Sequence, residues 1–220
     1  MRKLNFLLFW VFLLATQGCS ILEEEASPYE HSYTYRYTVS TDITYGGADF
    51  SKPEEGAGAY GLTYDEDFSI NGSQLSHSSS YSNSNGIEFP GKIEELEFLF
   101  INEKNREFPH TFHLEEIPAI TFPVISDPIS SDEAWDITWT GDPLEAGEEM
   151  QVIILESDYY DIENEPGSVK ITISATEMNY YSYDDISVSL TRIKTLPLYS
   201  ELEGTIRYEY STGFNNVEVE

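Results

Sequence analysis

Tyr33-Thr34-Tyr35-Arg36-Tyr37-Thr38-Val39-Ser40-Thr41-Asp42-Ile43-Thr44-Tyr45 alternates large and polar side chains along its whole length. Period two marks a half-buried β-strand, because successive strand side chains point to opposite faces. Tyrosine, valine and threonine also suit a pleated surface. The run predicts one strand with an aromatic inner face, ended by Gly46-Gly47 and followed by a glycine-rich loop over 46–61. Downstream, Asn71-Gly72 stands between Phe68-Ser69-Ile70 and Ser73-Gln74-Leu75 and predicts a tight hairpin, whose turn residues both take positive φ. That reading displaces a calcium loop beginning at Asp67, because Ser78 stands where such a loop needs its bidentate Glu. After a Ser/Asn-rich loop over 76–86, Leu96, Phe98 and Phe100 alternate with Glu95, Glu97 and Leu99. With Phe108 to Leu114 they predict a second hairpin across Asn102-Glu103-Lys104-Asn105. Ile117-Pro118 and Phe122-Pro123 interrupt pairing, since proline brings no amide donor.

Beyond these prolines the β-prone runs are short and separated by turn clusters: Trp135 to Thr140, Met150 to Leu155, Val169 to Ala175, Ile186 to Lys194, Gly204 to Tyr210 and Val217 to Val219. Such spacing fits a β-sandwich. The chain is expected to be all-β: two β-sandwich domains in series, 32–123 and 124–220. Trp135-Asp136-Ile137-Thr138-Trp139-Thr140-Gly141, with Leu144 to Glu149 and Val152 to Leu155 after it, resembles the immunoglobulin-like modules of surface lipoproteins. The resemblance covers 124–220 and implies sandwich architecture with Trp139 in the core and Ile137 pointing the same way. The cysteine pair of antibody-type domains is absent.

At the other end, Arg2 and Lys3 precede an apolar run from Leu4 to Ala15, closed by Thr16-Gln17-Gly18-Cys19. The pattern is that of a secretion signal over 1–18; the run is too short for the roughly 20 residues that span a bilayer. Gly18-Cys19 resembles the lipobox of bacterial lipoproteins, with Thr16 where that motif has Leu. The resemblance implies that Cys19 is acylated and becomes the first residue of the mature chain, on an acidic tether over 19–31. Cys19 is the sole cysteine and has no disulfide partner within the chain. Several acyl chains on one residue give lasting attachment, where a single chain holds only marginally. Glu23-Glu24-Glu25 just past it resembles the export tag of Bacteroidota surface lipoproteins, which implies display on the outer membrane at the cell surface.

The chain carries 11 basic and 40 acidic residues, a formal charge of −29. Nucleic acid is excluded as a partner, because its binders show basic patches. Electrostatic adhesion to anionic headgroups is excluded likewise, which leaves the lipid on Cys19 to contact the bilayer. Despite the charge, 16 Tyr and 12 Phe supply the aromatic content that disordered chains lack.

Candidate chemistry is sparse. His110 and His113 stand three apart, on opposite faces of a strand, and two histidines fall short of a zinc set. The acidic stretch 158–165 offers Asp158, Asp161 and Glu163 as hard oxygen ligands for calcium, although solvated loop carboxylates are the common case and oxygen ligands alone do not specify a site. No Gly-x-Ser-x-Gly elbow occurs, and no carboxylate pair stands out among 40 acids. Tyr159, Tyr160, Tyr180, Tyr181 and Tyr183 fall in or beside expected loops, where a flat face with a polar tip suits a glycan or a protein partner. The expectation is a membrane-anchored, non-catalytic structural or binding module. The alternatives are a glycan-binding accessory protein of a surface uptake system and a hydrolase with an unrecognised carboxylate pair.

Overall fold

The computed structural model describes residues 30–51, 66–75, 85–155, 159–181, 185–198 and 202–220. The signal segment, Cys19, Glu23-Glu24-Glu25, Asp158 and Tyr183 lie outside them.

The opening run is a hairpin rather than one strand. β1 (Glu30–Thr38) turns at 39–42 and returns as β2 (Ile43–Ser51). Asp42 takes a φ of 50°, and its Oδ1 accepts from Tyr37 Oη at 2.9 Å. The sequence hides the turn because Asp42 does what glycine or asparagine more often signals. With Thr38 opposite Ile43, odd-numbered residues point inward on β1 and outward on β2. Gly46 and Gly47 sit inside β2, not at its end. The strand also starts earlier than the expected tether boundary, and His31 is fully buried.

β3 (Asp67–Ile70) and β4 (Ser73–Gln74) flank Asn71-Gly72, whose φ values of 47° and 72° are those of the predicted turn. β5 (Asn85–Pro90) occupies the end of the expected loop, and β6 (Glu95–Ile101) pairs with β7 (Glu107–His113) as predicted. The chain continues through β8 (Ile120–Thr121), β9 (Trp135–Thr138), β10 (Thr140–Gly141) and β11 (Glu148–Ile154). Then follow β12 (Tyr159–Glu163), β13 (Lys170–Ile173), the single-turn helix α1 (Ala175–Met178), β14 (Ile186–Pro197), β15 (Gly204–Ser211) and β16 (Asn215–Val217).

An eight-stranded sheet runs β12-β11-β14-β15-β1-β2-β5, with β16 also on β14. All its pairs are antiparallel except one: β1 and β15 run parallel, from His31 opposite Gly204 to Thr38 opposite Ser211. Smaller sheets, β4-β3-β6-β7 and β13-β9, supply the second layers. The expected division at 123–124 separates these second layers. It does not separate the large sheet, whose strands come from both sides and whose β1–β15 ladder fastens one half to the other. Nor does it separate β8 from β10, which pair across it.

The inner faces form one continuous core from Tyr33 to Val219. On the β1 side it is aromatic: the Tyr33 and Phe98 rings stack at 5.1 Å, and the His31 ring meets Phe50 and Phe100 edge-on at 5.2 and 4.9 Å. Each such pair adds about 0.5–1.5 kcal/mol beyond the area it buries. On the β14 side the core is aliphatic, with Ile137, Val152, Ile154, Val188, Leu190 and Ile173 all buried. Trp139 is buried as expected, and its Nε1 donates to Asp142 O at 3.3 Å.

One ion pair lies inside this core. Arg192 and Glu148 are both fully buried and paired, with Arg192 Nε donating to Glu148 Oε2 at 3.1 Å. The arginine also donates to Asp142 O and Pro143 O at 2.8 Å each, and Glu145 N donates to Glu148 Oε2 at 2.9 Å. The pair thereby pins the loop between β10 and β11 through two of its carbonyls and the Glu145 amide.

Candidate functional site

With one face of the large sheet sealed on the core, its other face presents what the alternation turns outward. Across β11, β14, β15, β1 and β2 that face is hollowed into an open groove of about 570 Å³. Pairing register explains why polar groups gather there: Thr191 lies opposite both Gln151 and Ser211, and Arg36 opposite both Glu209 and Tyr45.

The groove floor is made of short hydroxyl side chains. Ser211 Oγ accepts from Thr191 Oγ1 at 3.0 Å and from Gly213 N at 3.2 Å, and lies 3.4 Å from Ser189 Oγ. These bonds satisfy polar atoms that would be costly to bury alone. Phe214, 47% exposed, forms part of the rim beyond β15.

Tyr45 shapes the β2 end. Its ring lies flat over Gly47 and Gly86, which face each other across β2 and β5; a Cβ at Gly86 would sit 2.2 Å from the hydroxyl oxygen and one at Gly47 would sit 2.7 Å from it. The glycines leave room for the ring, and the ring covers backbone that glycines leave bare. Burial raises the Tyr45 pKa, opposed by the Arg36 guanidinium 4.7 Å from the ring centroid.

Between Tyr45 and the hydroxyl floor stands a charged triad. Arg207 Nε donates to Glu209 Oε1 at 2.6 Å, and Arg36 Nη1 lies 3.5 Å from Glu209 Oε2. Both oxygens of Glu209 are thus engaged by arginine, an arrangement that fixes the three side chains against one another. The remaining carboxylate lining the groove is Glu88.

The five tyrosines singled out in the sequence do not form one platform. Tyr181 is buried and donates to Glu177 Oε1 at 3.1 Å, so its face is unavailable. Tyr159 is half-buried against the core, and its hydroxyl pKa is pushed up to about 12 by burial and then by Asp161. Tyr180 is 75% exposed but follows α1, away from the groove. Of the four described, Tyr160 alone lies beside the groove: it is 54% exposed and pairs with Ile153, which lines it.

Within the acidic stretch, Tyr159–Glu163 form strand β12 rather than a loop, and Asn164 and Glu165 follow it. Asp161 Oδ1 accepts from Ile162 N at 2.8 Å and Glu163 Oε1 from Glu165 N at 2.7 Å. Among the described residues no group of three or more His, Cys, Asp or Glu side chains is placed to hold a metal ion. His110 stacks on Phe112 on the inner face of β7, whereas His113 points outward, 3.5 Å from Glu95. No described helix is long and apolar enough to cross a membrane.

No family model matches the chain, and no curated protein does. Among solved structures, fibronectin(III)-like modules of Clostridium thermocellum CbhA align over 88% of this chain and 92% of theirs, at 10% identity and a TM-score of 0.26. A Ca²⁺-stabilised adhesin that helps an Antarctic bacterium bind ice aligns over 89% of this chain and 50% of its own, at 12% identity and a TM-score of 0.28. The central fibronectin-III array of RIM-binding protein aligns over 88% and 69%, at 8% identity and a TM-score of 0.24. This chain spans half the length of that adhesin. At such TM-scores no function is carried across, and the all-β fold stands on the strand pairing itself.

Proposed function

We propose that the chain is a non-catalytic binding module, held at the bacterial outer surface by a lipid on Cys19, and that the groove on the large sheet is where it takes its ligand. The observation that carries the reading is the groove itself. It is an open hollow of about 570 Å³ on the face turned away from the core, within the size range of ligand sites, with hydroxyls, a charged triad and aromatic groups converging on it. Glu209 is clamped by two arginines, which holds all three side chains in position to meet a ligand. The anchor rests on the sequence alone, on Gly18-Cys19 after the apolar run.

Two experiments test this. For the anchor, cells making the full chain are fractionated: Cys19→Ser releases the protein from membranes, and membrane partitioning unchanged by that substitution refutes the lipid. For the groove, the full chain in detergent is applied to arrays of glycans and peptides. Binding to one ligand class, lost in Phe214→Ala, supports the site; binding to none, or binding indifferent to Phe214→Ala, refutes it.

A further inference from the structure

Few cations are spread over this very acidic chain, yet two of them meet at one carboxylate in the groove. Arg36 comes from β1 and Arg207 from β15, strands brought together only by the parallel ladder. Glu209 between them is 12% exposed, whereas the arginine side chains are 41% and 40% exposed. Within the triad, two guanidinium groups against one carboxylate leave one positive charge over; Glu88 is the other carboxylate on the groove wall.

They also leave donors over. Each guanidinium carries five N–H bonds in a rigid fork, and Glu209 engages one nitrogen of each. Both arginines line the groove. Around them stand the hydroxyls of Thr38, Ser40, Thr191 and Ser211 with the amide of Gln151, and the exposed ring of Phe214 gives a flat apolar face.

We infer that the groove binds an acidic saccharide, a polyhydroxylated chain bearing a carboxylate; this rests on the reading of the groove as the ligand site. The carboxylate accepts from the spare N–H groups of Arg36 and Arg207, bidentate and charge-assisted. Ring hydroxyls exchange hydrogen bonds with the Ser, Thr and Gln side chains, and the apolar face of a sugar ring lies on an aromatic group. An acidic peptide is the lesser fit. Peptides bind sheets by adding a strand at a free edge, and the strands beneath the triad are paired on both sides.

The test uses the full chain in detergent and isothermal titration with three probes: oligogalacturonate, the same oligomer fully methyl-esterified, and poly-glutamate. Oligogalacturonate is expected to bind, with the ester about tenfold weaker or worse, the scale set by loss of one charge-assisted hydrogen bond. Arg36→Gln and Arg207→Gln are each expected to weaken binding about tenfold, Arg207→Lys to lie between, and Lys92→Gln, outside the groove, to change nothing. Thermal melts of each variant separate loss of binding from loss of fold. Equal binding of acid and ester, abolished by Phe214→Ala, overturns the carboxylate inference while the groove stands as a ligand site. Tighter binding of poly-glutamate than of oligogalacturonate overturns the saccharide. Binding of none of the three probes overturns the inference, and the array then decides the groove separately.

Discussion

Acidifying the solution from about pH 7.5 to about pH 4 should weaken the fold through His31. The ring is fully buried, with edge contacts to Tyr33, Phe50 and Phe100 and with Nδ1 3.2 Å from Tyr33 Oη. Burial, and then the charge of nearby His110, lowers its pKa from 6.5 to about 4. In the unfolded chain the same imidazole titrates at its ordinary value. Between those two pKa values the unfolded state therefore binds a proton that the folded state refuses. The sign follows: this contribution to stability is full above pH 6.5, falls as the pH drops, and is gone at about pH 4. At about 1.4 kcal/mol per pKa unit the loss is about 3 kcal/mol, a large share of the stability of a typical domain. The carboxylates complicate a simple acid titration, since protonating them relieves repulsion in a chain of formal charge −29. A difference between wild type and His31→Phe cancels that effect, and the cost of fitting the larger ring does not depend on pH. Burial also lowers the pKa of His110, which acts in the same direction and persists in the variant. The assay is urea unfolding followed by tryptophan fluorescence across this range. Wild type should lose stability relative to His31→Phe as the pH falls; a flat difference would refute the argument.

Arg192→Met should cost about 3–5 kcal/mol in urea unfolding by stranding the Glu148 carboxylate in the core, and Arg192→Met with Glu148→Met should cost less than the two single substitutions together. If the double variant costs their full sum, the pair is not a coupled unit. Gly86→Ala forces the Tyr45 ring off the sheet and should cost about 1–3 kcal/mol, most of it recovered when Tyr45→Ala is added; an unchanged melting temperature contradicts the covering role of the ring. Residues 30–123 and 124–220 made as separate chains should each lack a cooperative thermal transition, because each exposes a central strand of the shared sheet. A cooperative melt of either half alone would show that the β1–β15 ladder is dispensable.

Local pattern sufficed for most strands. Asn71-Gly72, the Leu96-Phe98-Phe100 alternation and the runs at 186–194 and 204–210 each carry a turn signal or a period that no distant contact is needed to read. It failed at Asp42, whose positive φ has only a weak sequence signal, and at β12, whose acidic residues read as a loop until the pairing of Met150 with Glu163 and Ile154 with Tyr159 makes them an edge. The site was less legible than the fold. Nothing near Arg36 announces Glu209, because their meeting depends on a parallel pair joining the first described strand to the last long one. Tyrosine composition drew attention to five residues; of the four described, burial removes Tyr181 and placement leaves Tyr160 alone beside the groove.

The position of β1 in the sheet has a mechanical consequence. On the proposed anchor, any pull between membrane and ligand enters the molecule at the start of β1, a strand flanked by β15 on one side and β2 on the other. A load directed along that strand shears both ladders at once, from His31 to Thr38, instead of peeling bonds open one after another. The groove lies across the same strands, so tension need not cross the second layers to reach the ligand. On those two proposals, a chain built this way would resist extraction where it is held and grip, through Arg36, with the very strand that bears the strain.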